Sequence, residues 1–289
     1  MSKTALVLGG GGVLGVSWTT GMLAGLAEGG VDVTDADLIV GTSAGSVVGT
    51  QVAIGRTLEE LMDAQSNPPN DGLDQNLVVD IPNLMAVFAK WSAFDEMTHD
   101  ACAEIGRMAV ASKTMALELW LQTFEEVASE AWPDRPLKVT AVDADSGEFR
   151  IWERASSVPL EVAVASSCTV PGLFPVVPIE GRRYMDGGVR STTNADLAAG
   201  YETVLVLAPI GARQDGIDPL GRRMSEGEIA ALTAAGTQAD LIFPDATSLE
   251  AMGINRMDSS RRGVTATAGA RQGETLAKQL APVWTAARV

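Results

Sequence analysis

Gly41-Thr42-Ser43-Ala44-Gly45 carries a serine between two glycines in the spacing G-x-S-x-G. A serine hydroxyl attacks acyl groups when a turn exposes it and a neighbouring base takes its proton. The spacing suits a sharp strand-to-helix turn, where side chains two residues either side would crowd the serine. Asp37-Leu38-Ile39-Val40 before it is a short apolar run that reads as a buried strand. Ser46 to Ile54 after it contains no proline and reads as a helix, so Ser43 would stand at a helix's positive end. The plainer reading is a strand–helix junction closed by small residues. The rest of the chain has to decide between the two.

A second glycine cluster, Gly10-Gly11-Gly12-Val13-Leu14-Gly15, follows the β-prone run Thr4 to Leu8. A helix, Val16 to Glu28, comes after it and ends at Gly29-Gly30. The cluster satisfies the dinucleotide pattern G-x-G-x-x-G. That use requires an acid at the end of the second strand, to hold the ribose. Here the second strand runs straight into Gly41, and Asp35 and Asp37 lie before or at its start. Nucleotide binding is therefore disfavoured. The other use is an oxyanion hole. Glycines leave backbone N–H groups uncovered, so those near Gly10, Gly11 and Gly12 can hold a developing negative oxygen at the helix start.

A nucleophilic serine needs a base, and the chain contains a single histidine, His99. It sits in the polar run Asp95-Glu96-Met97-Thr98-His99 and reads as a surface residue. A carboxylate can serve instead if it bonds directly to the hydroxyl while the oxyanion is stabilised. Asp186, followed by Gly187 and Gly188 at a strand end, is the candidate. The same three letters also spell an ordinary turn, and spacing leaves both readings open.

The elements that must position these residues alternate between strand and helix. Thr57-Leu58-Glu59-Glu60 has capping-box spacing. Ser66 to Gly72 is a polar loop. Residues Ile81 to Trp132 read as mostly helical, with Leu84, Val87 and Phe88 on one face and Leu117, Trp120, Leu121 and Phe124 on another. Such stripes usually belong to a core, with a lid or an acyl-chain wall as the alternative. Leu137 to Val142 and Glu148 to Trp152 flank Asp145-Ser146-Gly147 as a hairpin, with Asp143 and Asp145 as turn residues. A short helix, Leu160 to Ser166, precedes a stretch stiffened by Pro171, Pro175 and Pro178. Thr203 to Leu207 and Asp240 to Pro244 read as further strands, Gly211 to Gly227 as a mobile polar stretch, and the remainder as helices.

The 289 residues, 46% of them hydrophobic, can bury a large α/β core, and one domain over 1–289 is the simpler reading. With 21 Lys and Arg against 37 Asp and Glu, the net charge is −16. That disfavours nucleic acid and electrostatic docking on anionic membranes, while leaving hydrophobic contact with lipid open. Cys102 and Cys168 lack metal-ligand spacing and read as free thiols of a cytoplasmic protein. No run reaches the roughly 18 apolar residues of a membrane span. The glycines at 9–12 fit poorly in a signal peptide.

Taken in order, the glycine loop, Gly41-Thr42-Ser43-Ala44-Gly45 and Asp186-Gly187-Gly188 resemble the motifs of the patatin-like phospholipases. Ala165-Ser166-Ser167-Cys168-Thr169-Val170-Pro171-Gly172-Leu173-Phe174-Pro175 resembles that family's block before its Asp-Gly-Gly. The resemblance spans about residues 4 to 210; the region 211–289 would complete the domain and carries no transferable motif. It implies a three-layer α/β/α sandwich with a central, mostly parallel sheet. It also implies calcium-independent hydrolysis of lipid acyl esters through an acyl-enzyme, without cofactor or metal, at most transiently peripheral to a membrane. Ser43 would be the nucleophile, Asp186 the base, Gly10, Gly11 and Gly12 the oxyanion hole, and Gly15, Gly41, Gly45, Gly187 and Gly188 the supporting glycines. A non-catalytic lipid-binding or regulatory protein, or an acyltransferase using the same Ser43, are the alternatives. Where the family's loop commonly carries Arg or Lys before its last glycine, this chain has Leu14, which bears on head-group preference.

Overall fold

The computed structural model describes residues 3–67, 78–125, 131–211 and 220–286. Its first half contains β1 (Thr4–Leu8), α1 (Gly12–Glu28), β2 (Leu38–Gly41), α2 (Ala44–Ala53), α3 (Leu58–Ser66), α4 (Ile81–Ser92), α5 (His99–Ala111) and α6 (Leu117–Gln122). There follow β3 (Leu137–Asp143), β4 (Phe149–Trp152), α7 (Leu160–Ser167), β5 (Val177–Ile179), β6 (Arg182–Asp186), β7 (Thr203–Leu207), α8 (Leu220–Ala234), β8 (Gln238–Ile242), α9 (Ala246–Met252) and α10 (Arg262–Ala286).

The strands form one sheet in the order β5-β6-β3-β2-β1-β7-β8, with β4 also on β3. From β3 to β8 the neighbours run parallel, while β4, β5 and β6 join antiparallel. Continuous apolar strands such as Thr4–Leu8 and Thr203–Leu207 are buried on both faces, as a covered parallel sheet requires. Alternate residues serve opposite layers. Leu6, Leu8, Ile39, Leu205 and Leu207 pack with Trp18, Met22 and Leu26 of α1 and Val48 of α2. Ala5, Val7, Leu38, Val40, Val204 and Val206 pack with Leu232 of α8 on the other side. The result is an α/β fold with helices on both faces of a mostly parallel sheet.

One register detail positions the site. Val139 of β3 pairs with Gly41 on one edge and Trp152 on the other. Two residues on, Ala141 pairs with Arg150 of β4 and with Asp186 of β6. A strand has only two edges, so β6 takes over the edge of β3 that β2 has just left. The chain departs β2 at Gly41 into Thr42-Ser43, and Asp186 arrives beside it. Residues far apart in sequence are thereby fixed by one strand.

Several expectations hold at the level of single bonds. Thr57 and Glu60 exchange both capping-box bonds, at 2.9 and 3.2 Å. Asp143 Oδ1 accepts from the N–H groups of Asp145 and Ser146, both at 2.9 Å, which closes the hairpin turn. Others change. Val177–Ile179 is an edge strand, not only a proline-stiffened loop, and Pro178 is tolerated because an edge leaves its missing N–H unneeded. Residues 220–227, expected as mobile, begin α8. That helix buries Leu220, Ser225 and Leu232 and is anchored by Glu228, whose carboxylate accepts from Thr193 Oγ1 at 2.7 Å and Ala195 N at 2.8 Å. Residues 68–72 of the expected polar loop, 126–130 of the helical segment and 212–219 lie outside the described residues. The segment 81–132 divides its roles. Trp120 of α6 is buried, stacked on Phe174 with ring centroids 3.9 Å apart in the wall of one cavity, whereas Leu84 and Val87 of α4 face another. Among the described residues, no helix is long and apolar enough to cross a membrane.

Candidate active site

Ser43 stands between β2 and α2 with φ 53° and ψ −121°. A positive φ is uncommon for a residue with a side chain and costs of order 1–3 kcal/mol. The surroundings impose it. Ser43 N–H donates to Ser167 Oγ at 3.0 Å, and its carbonyl accepts from Ser46 N at 2.8 Å and Ser46 Oγ at 2.7 Å. Thr42 N–H donates to the Leu8 carbonyl at 3.0 Å. A side chain at Gly45 would place its Cβ 1.9 Å from that same carbonyl oxygen, so α2 can start this close to β1 only with glycine there. Gly15 brings α1 against the elbow in the same way, with a Cβ there 3.3 Å from that of Ala44.

Asp186 ends β6. Its Oδ1 accepts from Gly188 N–H at 2.7 Å, and the Ser43 hydroxyl is near enough to favour the charged form of the same carboxylate. Burial pushes its pKa up to about 7, against the lowering effect of these two groups. A carboxylate so raised is a much stronger base than a free one. Behind the pair, Asn194 at φ 52° donates through Nδ2 to Thr42 Oγ1 at 3.0 Å and to the carbonyls of Gly187 and Ser191 at 3.3 and 2.8 Å. Thr42 Oγ1 and Thr140 Oγ1 are hydrogen-bonded at 2.9 Å. The elbow and the Asp-Gly-Gly turn are thus tied together through Asn194. Gly187 lies so close to Thr140 that a Cβ would fall 2.2 Å from its Oγ1.

The glycine loop faces this pair. A Cβ on Gly10 would lie 3.3 Å from Ser43 Cβ. Its N–H, however, donates to the Thr192 carbonyl at 2.9 Å and is already engaged. The N–H groups of Gly11 and Gly12 have no partner among the described residues, and Gly12 opens α1. Gly12 takes φ +63° against Arg256 and Met257; a Cβ there would meet Met257 Sδ at 3.0 Å and the Arg256 carbonyl oxygen at 3.1 Å. Leu14 is fully buried in the core, away from the cavity, and its N–H donates to the Arg256 carbonyl at 3.0 Å.

A cavity of about 760 Å³ opens over Ser43, Asp186 and Gly10 to Gly12, walled by Leu84, Val87, Phe88, Trp91 and Leu173 among others. Trp91 Nε1 donates to the Val189 carbonyl at 2.9 Å, docking α4 onto the turn after Asp186. A second cavity of about 360 Å³, with Val16, Val47, Trp120 and Phe174 in its wall, meets the first at Gly12, Ser43, Val170 and Met257. His99 is exposed at the start of α5 and lines neither cavity. Cys102 and Cys168 are buried, and burial raises both thiols, Cys102 to about 11, so neither competes as a nucleophile. Among the described residues, no cluster of His, Cys, Asp or Glu could hold a metal.

The base must be ionised to accept a proton. With Asp186 titrating near 7, kcat/KM for an uncharged ester should fall about tenfold per unit as pH drops below that value. A pH–rate profile with no acid limb between pH 5 and 8 would contradict this.

An α/β sheet with a serine on a strained elbow, next to a buried carboxylate and facing free loop N–H groups, defines a candidate serine acyl-transfer site. The family profile described as patatin-like phospholipase matches residues 6–199, and the chain belongs to that family of lipid acyl hydrolases. No curated protein matches it. Among solved structures, VipD from Legionella pneumophila is similar at TM-score 0.46 and 12% identity, over 96% of this chain and 67% of that one.

The motifs did not reveal Ser167, Thr140 or Asn194 as supports of the site. Ser167 lies inside the block that resembles the family and could have been noticed there. Thr140 and Asn194 act through tertiary contacts that no local pattern encodes.

Proposed function

We propose that this protein hydrolyses acyl esters of lipids through a Ser43–Asp186 dyad. The observation that carries the reading is the placement of Ser43, on its strained elbow, beside the buried, proton-hungry Asp186 carboxylate at the floor of a largely apolar cavity. As Ser43 Oγ attacks the carbonyl carbon, its proton passes to Asp186. The carbonyl oxygen becomes an oxyanion held by the N–H groups of Gly11 and Gly12. On collapse, the bond to the alcohol breaks and Asp186 returns the proton to the leaving oxygen. Asp186 then takes a proton from water as its oxygen attacks the acyl-enzyme. Ser43 Oγ leaves, regains the proton, and a fatty acid is released.

Two cavities meeting at Ser43 suit an ester whose acyl and alcohol halves extend to opposite sides of the nucleophile. Phe88, Ile210 and Ile254 line the larger cavity yet are exposed, which supports contact with a lipid surface at its mouth. The resemblance supports turnover without calcium, which excess chelator would leave unchanged.

A fluorophosphonate probe should form a single adduct, mapped to Ser43 by peptide mass analysis. An adduct elsewhere, or none, overturns the reading. Products formed with and without an added alcohol separate hydrolysis from acyl transfer.

A further inference from the structure

Among the described residues that line the larger cavity, Arg256 is the one cationic side chain and Asp186 the one acidic side chain. Its backbone is locked onto the glycine loop. The carbonyl accepts from Leu14 N–H at 3.0 Å, and a Cβ on Gly12 would lie 3.5 Å from Arg256 Cβ. The guanidinium does not complete that anchoring. Its Nη1 is shielded from solvent with no hydrogen-bond partner, and among the described residues no carboxylate pairs with it. In a chain of net charge −16, an unpaired cation facing an apolar cavity stands out. A guanidinium nitrogen shielded from water and left unsatisfied costs stability, so its presence calls for a partner that arrives from outside. Arginine is suited to that, since its planar fork matches a phosphate with two parallel hydrogen bonds.

We propose that Arg256 is a specificity-determining residue that binds the phosphate on the alcohol half of a phospholipid ester while Ser43 attacks the acyl carbonyl. This rests on the Ser43 reading given above. In a glycerophospholipid the phosphate lies only a few bonds from the scissile ester, and Arg256 borders the same glycine loop that faces Ser43. The selectivity would come from the segment after α9, outside the residues matched by the family profile.

The test compares the protein with Arg256→Met and Arg256→Lys, on a 1-acyl-glycerophosphocholine and on the monoacylglycerol with the same chain. Arg256→Met keeps an apolar stem and removes a half-buried, unpaired charge, so it should fold; thermal melting checks both variants. The ratio of kcat/KM, phospholipid over neutral ester, should fall at least about tenfold in Arg256→Met, chiefly through KM, and less in Arg256→Lys. Binding of the two ether-linked analogues, which have no scissile carbonyl, should show the same ranking by calorimetry. Equal losses on both substrates, or an unchanged ratio with unchanged analogue binding, overturns the role of Arg256. If instead no fluorophosphonate adduct forms at Ser43 but analogue binding still depends on Arg256, the catalytic reading fails and the phosphate site stands.

Discussion

Asp186→Asn should lower turnover by roughly 10³-fold and raise the stability of the fold in the same protein. The loss follows from chemistry. An amide keeps the shape and can still accept from Gly188 N–H, but it cannot take the Ser43 proton, and a positioned base contributes about 10²–10⁴. The gain follows from linkage. The folded-state pKa, about 7, lies above the ordinary value of 3.8, so the folded protein binds this proton more tightly than the unfolded chain. The stability that this proton brings is present in full below about pH 4 and is lost as pH rises to 7. At pH 8 the ionised carboxylate destabilises the fold by up to about 4 kcal/mol. The amide of the variant does not titrate. Its melting temperature should exceed that of the parent at pH 8, with the advantage vanishing near pH 4. Near-parental esterase activity in this variant would remove Asp186 from the mechanism. A melting advantage independent of pH would remove the argument from burial.

Ser43→Ala should abolish both probe labelling and turnover, a loss of at least roughly 10⁴-fold, while leaving the fold intact. Alanine inherits the backbone strain at φ 53°, so little stability is expected to return. Ser43→Gly should be as inactive but more stable than Ser43→Ala by about 1–3 kcal/mol, because glycine takes positive φ freely. Hydrolysis above background in either variant would mean another nucleophile. Equal stability of the two would mean that the elbow is not strained. The two comparisons use one residue to separate chemistry from conformation.

Much of this was legible in the residues. The strands Thr4–Leu8 and Thr203–Leu207 could be read with their ends because continuous apolar runs have few other uses in a chain this size. The elbow and the Asp-Gly-Gly turn were visible because backbone crowding at Gly45 and Gly187 admits no other residue. The glycine loop was legible only in part. Glycines announce uncovered N–H groups, but that Gly10 spends its own on Thr192 depends on a loop arriving from elsewhere. β5 was hidden by its three-residue length and its proline. α8 was hidden because only a few of its residues are buried and its polar anchor, Glu228, acts on a distant loop. Arg256 carried no signal, since an unpaired cation can be recognised only once its surroundings are known.

The handover of β3's edge from β2 to β6 has an evolutionary consequence. The separation of Ser43 and Asp186 is measured along one strand, Val139 to Ala141, and not along the chain that joins them. The excursion from residue 54 to 136 can lengthen, shorten or change its helices without altering that spacing. Yet α4, which walls the cavity, belongs to this excursion, and Arg256 comes from beyond the other end of the core. Selection can therefore rewrite which molecules are admitted while Ser43 and Asp186 stay in register, so a change of diet need not disturb the proposed reaction.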